Sequence, residues 1–343
     1  MTKMKMLAAA TSTVLFLMSA QSHAASGDTL AQVTKRGVLQ CGVSDGLPGF
    51  SNPNAKGVWE GIDVEYCHAL AAAIFGDASK VKFVPLNAKE RLTALQSGEI
   101  DVLSRNTTWT LSRDASLGLT FTAPMYYDGQ GFLVNKSLNV KSAKELDGAS
   151  ICIQSGTTTE LNVSDYFKAN GMKFTSVVFD TSDQTVKGFE SGRCDVLTSD
   201  QSQLYALKVK LAKPDDAAVL PEVISKEPLT PAVRQGDDQW ATLAKWTVFA
   251  MLSAEELGVT TKNVDDLKAN SKNPDVRRLL GLEEPSGKVL GVQADWGYQI
   301  VKQVGNYGEV FDRTVGKGSP LGIDRGVNAL WNKGGFMYAP PIR

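Results

Sequence analysis

One phrase occurs twice in this chain, as Ser97-Gly98-Glu99-Ile100-Asp101-Val102-Leu103-Ser104 and as Ser191-Gly192-Arg193-Cys194-Asp195-Val196-Leu197-Thr198. Before each copy, apolar residues recur at helical spacing (Leu92 and Leu95; Val186 and Phe189). The glycine suits the position that closes a helix, and Asp-Val-Leu suits a buried parallel strand. A polar cluster follows each copy, Arg105-Asn106-Thr107-Thr108-Trp109-Thr110-Leu111-Ser112-Arg113 and Ser199-Asp200-Gln201-Ser202. In open α/β sheets ligands collect outside the carboxyl ends of the strands. Two such units offer two ligand edges, and facing each other they make a clamp. Chance recurrence of a common helix-to-strand connection is the plain alternative, which the rest of the chain has to decide.

The N-terminus carries Lys3 and Lys5, an apolar run from Met6 to Ala20, and Ser22-His23-Ala24 with small residues at the cleavage-site positions. This is the pattern of a secretory signal peptide spanning residues 1–24; the run falls short of the roughly 20 residues that span a bilayer. Removing it takes away Lys3 and Lys5, so 34 of the 36 basic residues remain against 37 acidic ones. Such a balance, without basic runs, argues against nucleic acid as a partner and points to a small ligand. The remaining length suits about two domains. Four cysteines in an exported chain favour disulfides over metal or redox chemistry. Three connectivities exist; membership of the same half predicts Cys41 with Cys67 and Cys152 with Cys194. No spacing suits zinc, and the exported chain keeps one histidine, His68.

The periodicity predicts strands over 38–43, 80–86 and 100–103, with helices from Ile62, closed by Gly76, and over 88–96: a βαβαβ half. After Tyr126-Tyr127-Asp128-Gly129-Gln130-Gly131 the pattern restarts with strands at 132–134, 149–153 and 174–179 and a helix over 161–169. A strand-like piece over 229–234 precedes a helix opening at Asp237. The expected fold is α/β with two lobes. Residues 25–130 and 228–343 form the first lobe with its C-terminal extension, residues 131–227 form the inserted second lobe, and crossings near 126–131 and 224–231 act as the hinge. Trp296, Tyr298, Tyr307, Phe311 and Trp331 are expected to brace the first lobe.

Gly42-Val43-Ser44-Asp45-Gly46 fits the nucleophile-elbow pattern, but Pro48, Gly49 and Pro53 follow where a helix is required. There is no phosphate loop of the Gly-x-x-x-x-Gly-Lys-Ser/Thr type. The stronger constellation pairs a cation with a carboxylate. Arg113 offers a guanidinium fork for a carboxylate, Thr108, Thr157 and Thr158 add hydroxyl and backbone donors, and Asp200 offers an acceptor for an ammonium. Together they complement a zwitterion. The plain alternatives are a surface Arg113 paired with Asp114 or Glu90, and Asp200 as a helix N-cap.

Pro48-Gly49-Phe50, Gly61-Ile62-Asp63-Val64-Glu65, the first repeated phrase followed by Thr108 and Arg113, Ser155-Gly156-Thr157-Thr158, and Cys194 to Asp200 together resemble the polar amino-acid periplasmic binding proteins of ABC importers. Ser104 to Thr110, Ser225 to Leu229, Asn306 to Glu309 and Gly334 to Pro341 resemble the general L-amino acid-binding branch. The resemblance covers the exported chain. It implies a type II binding-protein fold and a periplasmic location, without cofactor or metal. It also implies a monomer that captures L-amino acids of varied side chain for an inner-membrane permease and its ATPase. By position it assigns Arg113 to the α-carboxylate, helped by Thr108, Thr157 and Thr158, and Asp200 to the α-ammonium. Asn106 belongs to the same set, and Ser44, Asp45, Phe50 and Trp59 are weaker candidates for the lining. Ala88 stands where narrower relatives carry an aromatic, which implies a roomier pocket. Cyclohexadienyl dehydratases resemble the same fold and make an enzyme the alternative; a sensory module is a further rival.

Overall fold

The structure is a computed structural model that describes residues 28–283 and 286–343. The expected signal peptide lies outside the described residues. Two five-stranded sheets share one plan. In the first, the order is Val81–Leu86, Leu39–Ser44, Val102–Leu103, Ala232–Arg234, Leu119–Phe121; the first three strands are parallel and Ala232–Arg234 runs against both neighbours. In the second, the order is Thr175–Phe179, Ser150–Gln154, Val196–Asp200, Gln130–Asn135, Ala217–Val219, with Gln130–Asn135 again running against both neighbours. The chain passes between the sheets twice, along Tyr126–Asp128 and Glu227–Leu229, which pair antiparallel.

The repeated phrase builds the same joint in both sheets. The Asp101 N–H donates to the Gln40 carbonyl at 2.9 Å while its carboxylate accepts the Gln40 N–H at 2.8 Å. Asp195 does the same with Ser150, at 2.9 and 3.0 Å. Both copies follow a helix and pin the third strand of their unit to the first. Cys41 is bonded to Cys67 and Cys152 to Cys194.

Side-chain alternation decides which helices cover which face. In the second sheet Phe132, Val134, Ile151, Ile153 and Val196 meet Val163 and Phe167 on one face, while Leu133, Cys152 and Leu197 meet Val186, Phe189, Leu204 and Leu207 on the other. Each fully buried side chain of this size contributes about 1.5–3 kcal/mol. The helix Ile62–Phe75 is apolar nearly all round because it is buried between the first sheet and Asp238–Glu256. It opens at Gly61 (φ +127°), where a Cβ would lie 2.2 Å from the Phe50 carbonyl oxygen. Trp296, Tyr307 and Phe311 are buried among these helices, whereas Trp331 is exposed.

Two boundaries differ from the sequence expectation. The helix expected from Ala88 begins at Arg91, because the Asn87 side chain accepts the N–H groups of Lys89 and Glu90 and holds those residues in a turn. The single strand expected over 229–234 is two, Glu227–Leu229 in the crossing and Ala232–Arg234 in the sheet, separated at Pro231, which has no N–H to donate.

Candidate ligand-binding site

The polar loop after Leu103 is folded by a carboxylate from below. Asp63, in the first turn of Ile62–Phe75, accepts the Asn106 N–H at 3.0 Å and the Ser104 hydroxyl at 3.3 Å. Burial pushes its carboxyl up to about 7 against the lowering effect of the Asn106 N–H. Asn106 takes φ +28°, a rare conformation that this anchor sustains. Three buried guanidiniums surround the loop. Arg105 donates through Nε to the Leu86 carbonyl at 2.9 Å and lies 3.9 Å from Asp45. Arg91 donates to the Arg105 carbonyl and the Thr107 hydroxyl, both at 3.3 Å, and its buried Nε has no partner among the described residues. Arg113 donates through Nη1 to the Thr108 carbonyl at 2.8 Å. Burial lowers all three from the usual arginine range, and Arg91 is lowered furthest, with Arg105 and Arg113 adding to it. The carboxylates that oppose this lowering are Asp45, Asp63, Asp200 and Glu227.

The second lobe answers with carboxylates. Asp200 ends its strand at the N-cap position of Gln201–Lys208, yet among the described residues its side chain caps nothing. Asp128, from the first crossing, takes that task by accepting the Ser202 N–H and hydroxyl. Asp200 is therefore left buried and uncommitted beside the cations. Burial raises its carboxyl well above the usual range, with Asp128 and Glu227 adding to the effect and Arg91 and Arg113 opposing it. Burial likewise pushes Asp128 up to about 6. Thr157 donates to the Gln154 carbonyl at 2.7 Å, and the Thr158 hydroxyl donates to Glu227 at 3.0 Å.

Contacts hold the two lobes shut across this space. Asn106 Nδ2 donates to Gln203 Oε1 at 3.1 Å, and Lys210 reaches the Gly46 carbonyl at 2.8 Å. Lys89 pairs with Asp180 at 2.6 Å at the rim. Gly156 lies so close to Ala88 that a Cβ there would sit 3.1 Å from the Ala88 carbonyl.

Arg113 is thus tied to Thr108, Thr108 and Thr158 share the Glu227 carboxylate, Asn106 meets Gln203 of the other lobe, and Asp200 lies within electrostatic reach of Arg113, while Thr157 is engaged with its own loop. Arg113 pairs with neither Asp114 nor Glu90 among the described residues. Ser44 is buried against Ser51 and Asp45, and Asp45 faces Arg105. Phe50 packs edge-on to Tyr126 at 5.8 Å, and Trp59 leans on Phe83 at 6.0 Å; neither is brought to Arg113 by these contacts. Sequence reasoning missed Asp63, Arg91, Arg105, Asp128 and Glu227. Lys89-Glu90-Arg91 falls in the helix expected over 88–96, and Glu227 in the stretch Ser225 to Leu229 that carries the resemblance. The available signal was position: Arg105 stands directly after a strand and Asp128 within a crossing.

Two sheets of one plan, joined by a pair of crossing strands and closed over buried opposite charges, define a hinged two-lobed binding protein of the type II periplasmic class. The chain belongs to the bacterial extracellular solute-binding proteins, family 3, whose family model matches residues 39–262. It is 60% identical over 343 residues to a putative amino-acid ABC transporter-binding protein, YhdW, of Escherichia coli O157:H7, covering 100% of both chains. It is 57% identical to the general L-amino acid-binding periplasmic protein AapJ of Rhizobium johnstonii, covering 99% of this chain and 100% of that one. A solved ABC transporter / periplasmic binding protein from Brucella ovis with glutathione bound matches at TM-score 0.91 and 57% identity, over 92% of this chain and 100% of that chain. No helix among the described residues is long and apolar enough to cross a membrane.

Proposed function

We propose that this protein is the periplasmic capture subunit of an ABC importer, taking L-amino acids of varied side chain and handing them unchanged, as a monomer, to an inner-membrane permease and its ATPase. The observation that carries this reading is that Arg113 of the first lobe and Asp200 of the second are both buried, each within electrostatic reach of the other. In this reading the α-carboxylate lies on the Arg113 fork and the backbone N–H groups after Gly156, the α-ammonium lies on Asp200, and Asn106 closes the rim. The lobes comprise 25–130 with 228–343, and 131–227. Ligand binds one lobe of an open form, and closing about the two crossings brings the other charge to it. Ala88, in place of the aromatic of narrower relatives, is the feature this reading takes to admit side chains of several lengths.

A dehydratase would need a carboxyl aimed at a leaving hydroxyl. Of the carboxyls that burial raises here, Asp128 and Asp63 are engaged with Ser202 and with Asn106 and Ser104, and Asp200 is the one this reading gives to the α-ammonium, so that turnover assays decide between the two readings. Calorimetric titration of the protein, unfolded and refolded to strip carried-over ligand, against L-amino acids, two D-amino acids and several dipeptides tests the reading. Micromolar binding of many L-forms, about −8 kcal/mol, is expected, with ligand recovered unchanged. Silence across the panel, or turnover of arogenate or prephenate, would overturn it.

A further inference from the structure

Glu227 lies on the returning crossing strand and is 2% exposed. Its carboxylate accepts four side-chain donors drawn from both lobes and the hinge. Thr108 Oγ1 of the first lobe and Thr158 Oγ1 of the second both donate to Oε2, at 2.5 and 3.0 Å. Asn162 Nδ2 and Ser225 Oγ both donate to Oε1, at 2.6 and 2.8 Å. Thr108 and Thr158 were expected from the sequence to serve the ligand as hydroxyl donors. A threonine hydroxyl has a single proton and two acceptor lone pairs. Once that proton is given to Glu227, the oxygen offers a neighbour only its lone pairs.

We propose that Glu227 is a positioning residue for ligand specificity: by taking the hydroxyl protons of Thr108 and Thr158 it presents both oxygens to the bound molecule as acceptors. The pair then joins Asp200 in favouring a cationic group, and the carboxylate is left to Arg113 and the backbone donors. Arg113 enforces the same division, since its Nη1 binds the Thr108 carbonyl and anchors the backbone that carries the hydroxyl. Because one carboxylate oxygen binds a threonine from each lobe, this polarity is complete only when the lobes are closed. An amine that donates protons is accepted at that point, and a group that needs donors is refused.

The inference rests on the amino-acid reading above, and its test separates the two. Affinities are measured for three matched pairs, L-alanine with L-lactate, L-glutamate with L-2-hydroxyglutarate, and L-leucine with L-2-hydroxyisocaproate, using wild type, Glu227→Met, Thr108→Val and the double variant. If wild type binds no amino acid of the panel, the amino-acid reading fails and the inference falls with it. Otherwise the expected result is a drop of about tenfold or more in the preference of Glu227→Met for the amino member over the hydroxy member. The hydroxy-acid affinity itself should stay within about twofold, because the released threonine protons can now serve it. In the Thr108→Val background the same Glu227 change should cost much less, the mark of two residues acting as a unit. Equal weakening of both members would show a merely structural role and overturn the inference, as would an unchanged preference. If Glu227→Met does not fold by circular dichroism, Glu227→Gln carries the test: a preference reduced about threefold or more supports the inference, and an unchanged one overturns it.

Discussion

Asp101 in the first sheet and Asp195 in the second occupy the same place in the repeated phrase and accept the same neighbouring-strand N–H. Their surroundings differ. Asp101 is 3% exposed, pairs with Arg36, and has the Trp240 indole donating to its carbonyl at 3.0 Å. Burial raises its carboxyl above the usual range. Asp195 is exposed, and the Ser150 hydroxyl at 2.6 Å holds its carboxyl below that range. The joint is a property of the phrase, while its electrostatics belong to whatever is laid over it. In the first lobe the helix Asp238–Glu256 covers the joint, and in the second the joint faces water. The ligand edges are divided the same way: one plan carries three guanidiniums in the first lobe and a lone uncommitted carboxylate in the second.

The largest effect expected on stability is from Asp101→Ala, which takes away the acceptor of the Gln40 N–H and the partner of the exposed Arg36. Urea unfolding should show a loss of about 1–3 kcal/mol, and a loss no greater than that of Asp195→Ala would break the comparison. Next come Arg113→Ala and Asp200→Ala, one from each lobe. Each should cost about 2–5 kcal/mol of binding, roughly thirtyfold to several thousandfold in Kd by calorimetry. Wild-type affinity in either variant would remove that lobe's charge from the site. Asp195→Ala, at an exposed joint, should cost about 1 kcal/mol of stability.

The smallest and sharpest test is pH. Asp195, with its folded value depressed, contributes stability that is present above the unfolded value of about 3.9 and is lost as pH falls through the lower folded value. Asp101, with its folded value raised, opposes folding at neutral pH and ceases to do so as pH falls through that raised value. Asp195→Asn should therefore remove part of the acid-side loss of stability, and Asp101→Asn should remove a gain. Like-signed changes in the two stability profiles would show that the environments do not differ as described.

The repeated phrase made the two-lobed plan legible, because a helix-closing glycine and a strand-opening aspartate are local requirements. Arg113 and Asp200 were singled out in the polar stretches that follow the two copies of the phrase, and the structure buries both, Arg113 in the helix Leu111–Ser116 and Asp200 at the end of its strand. Asp63, Arg91 and Glu227 were not, because their roles depend on partners far along the chain: Asn106 for Asp63, Gly156 for Arg91 at 3.5 Å, and Thr108 for Glu227. Nothing in the spacing of Ser225-Lys226-Glu227 separates a buried acceptor of four donors from a solvated turn. Phe50, a weaker candidate for the lining, is buried with its ring edge-on to Tyr126.

Under the function proposed above, the close approach of Gly156 to Ala88 bears on how a permease can read this molecule. There the lobes meet main chain against main chain, with no side chain at Gly156 to yield and a carbonyl opposite. Such a contact is a mechanical stop, and its position does not depend on the cargo inside. Cargoes of different length that let the lobes reach it arrive at one outer shape. A transporter docking on that shape needs a single recognition surface for many passengers.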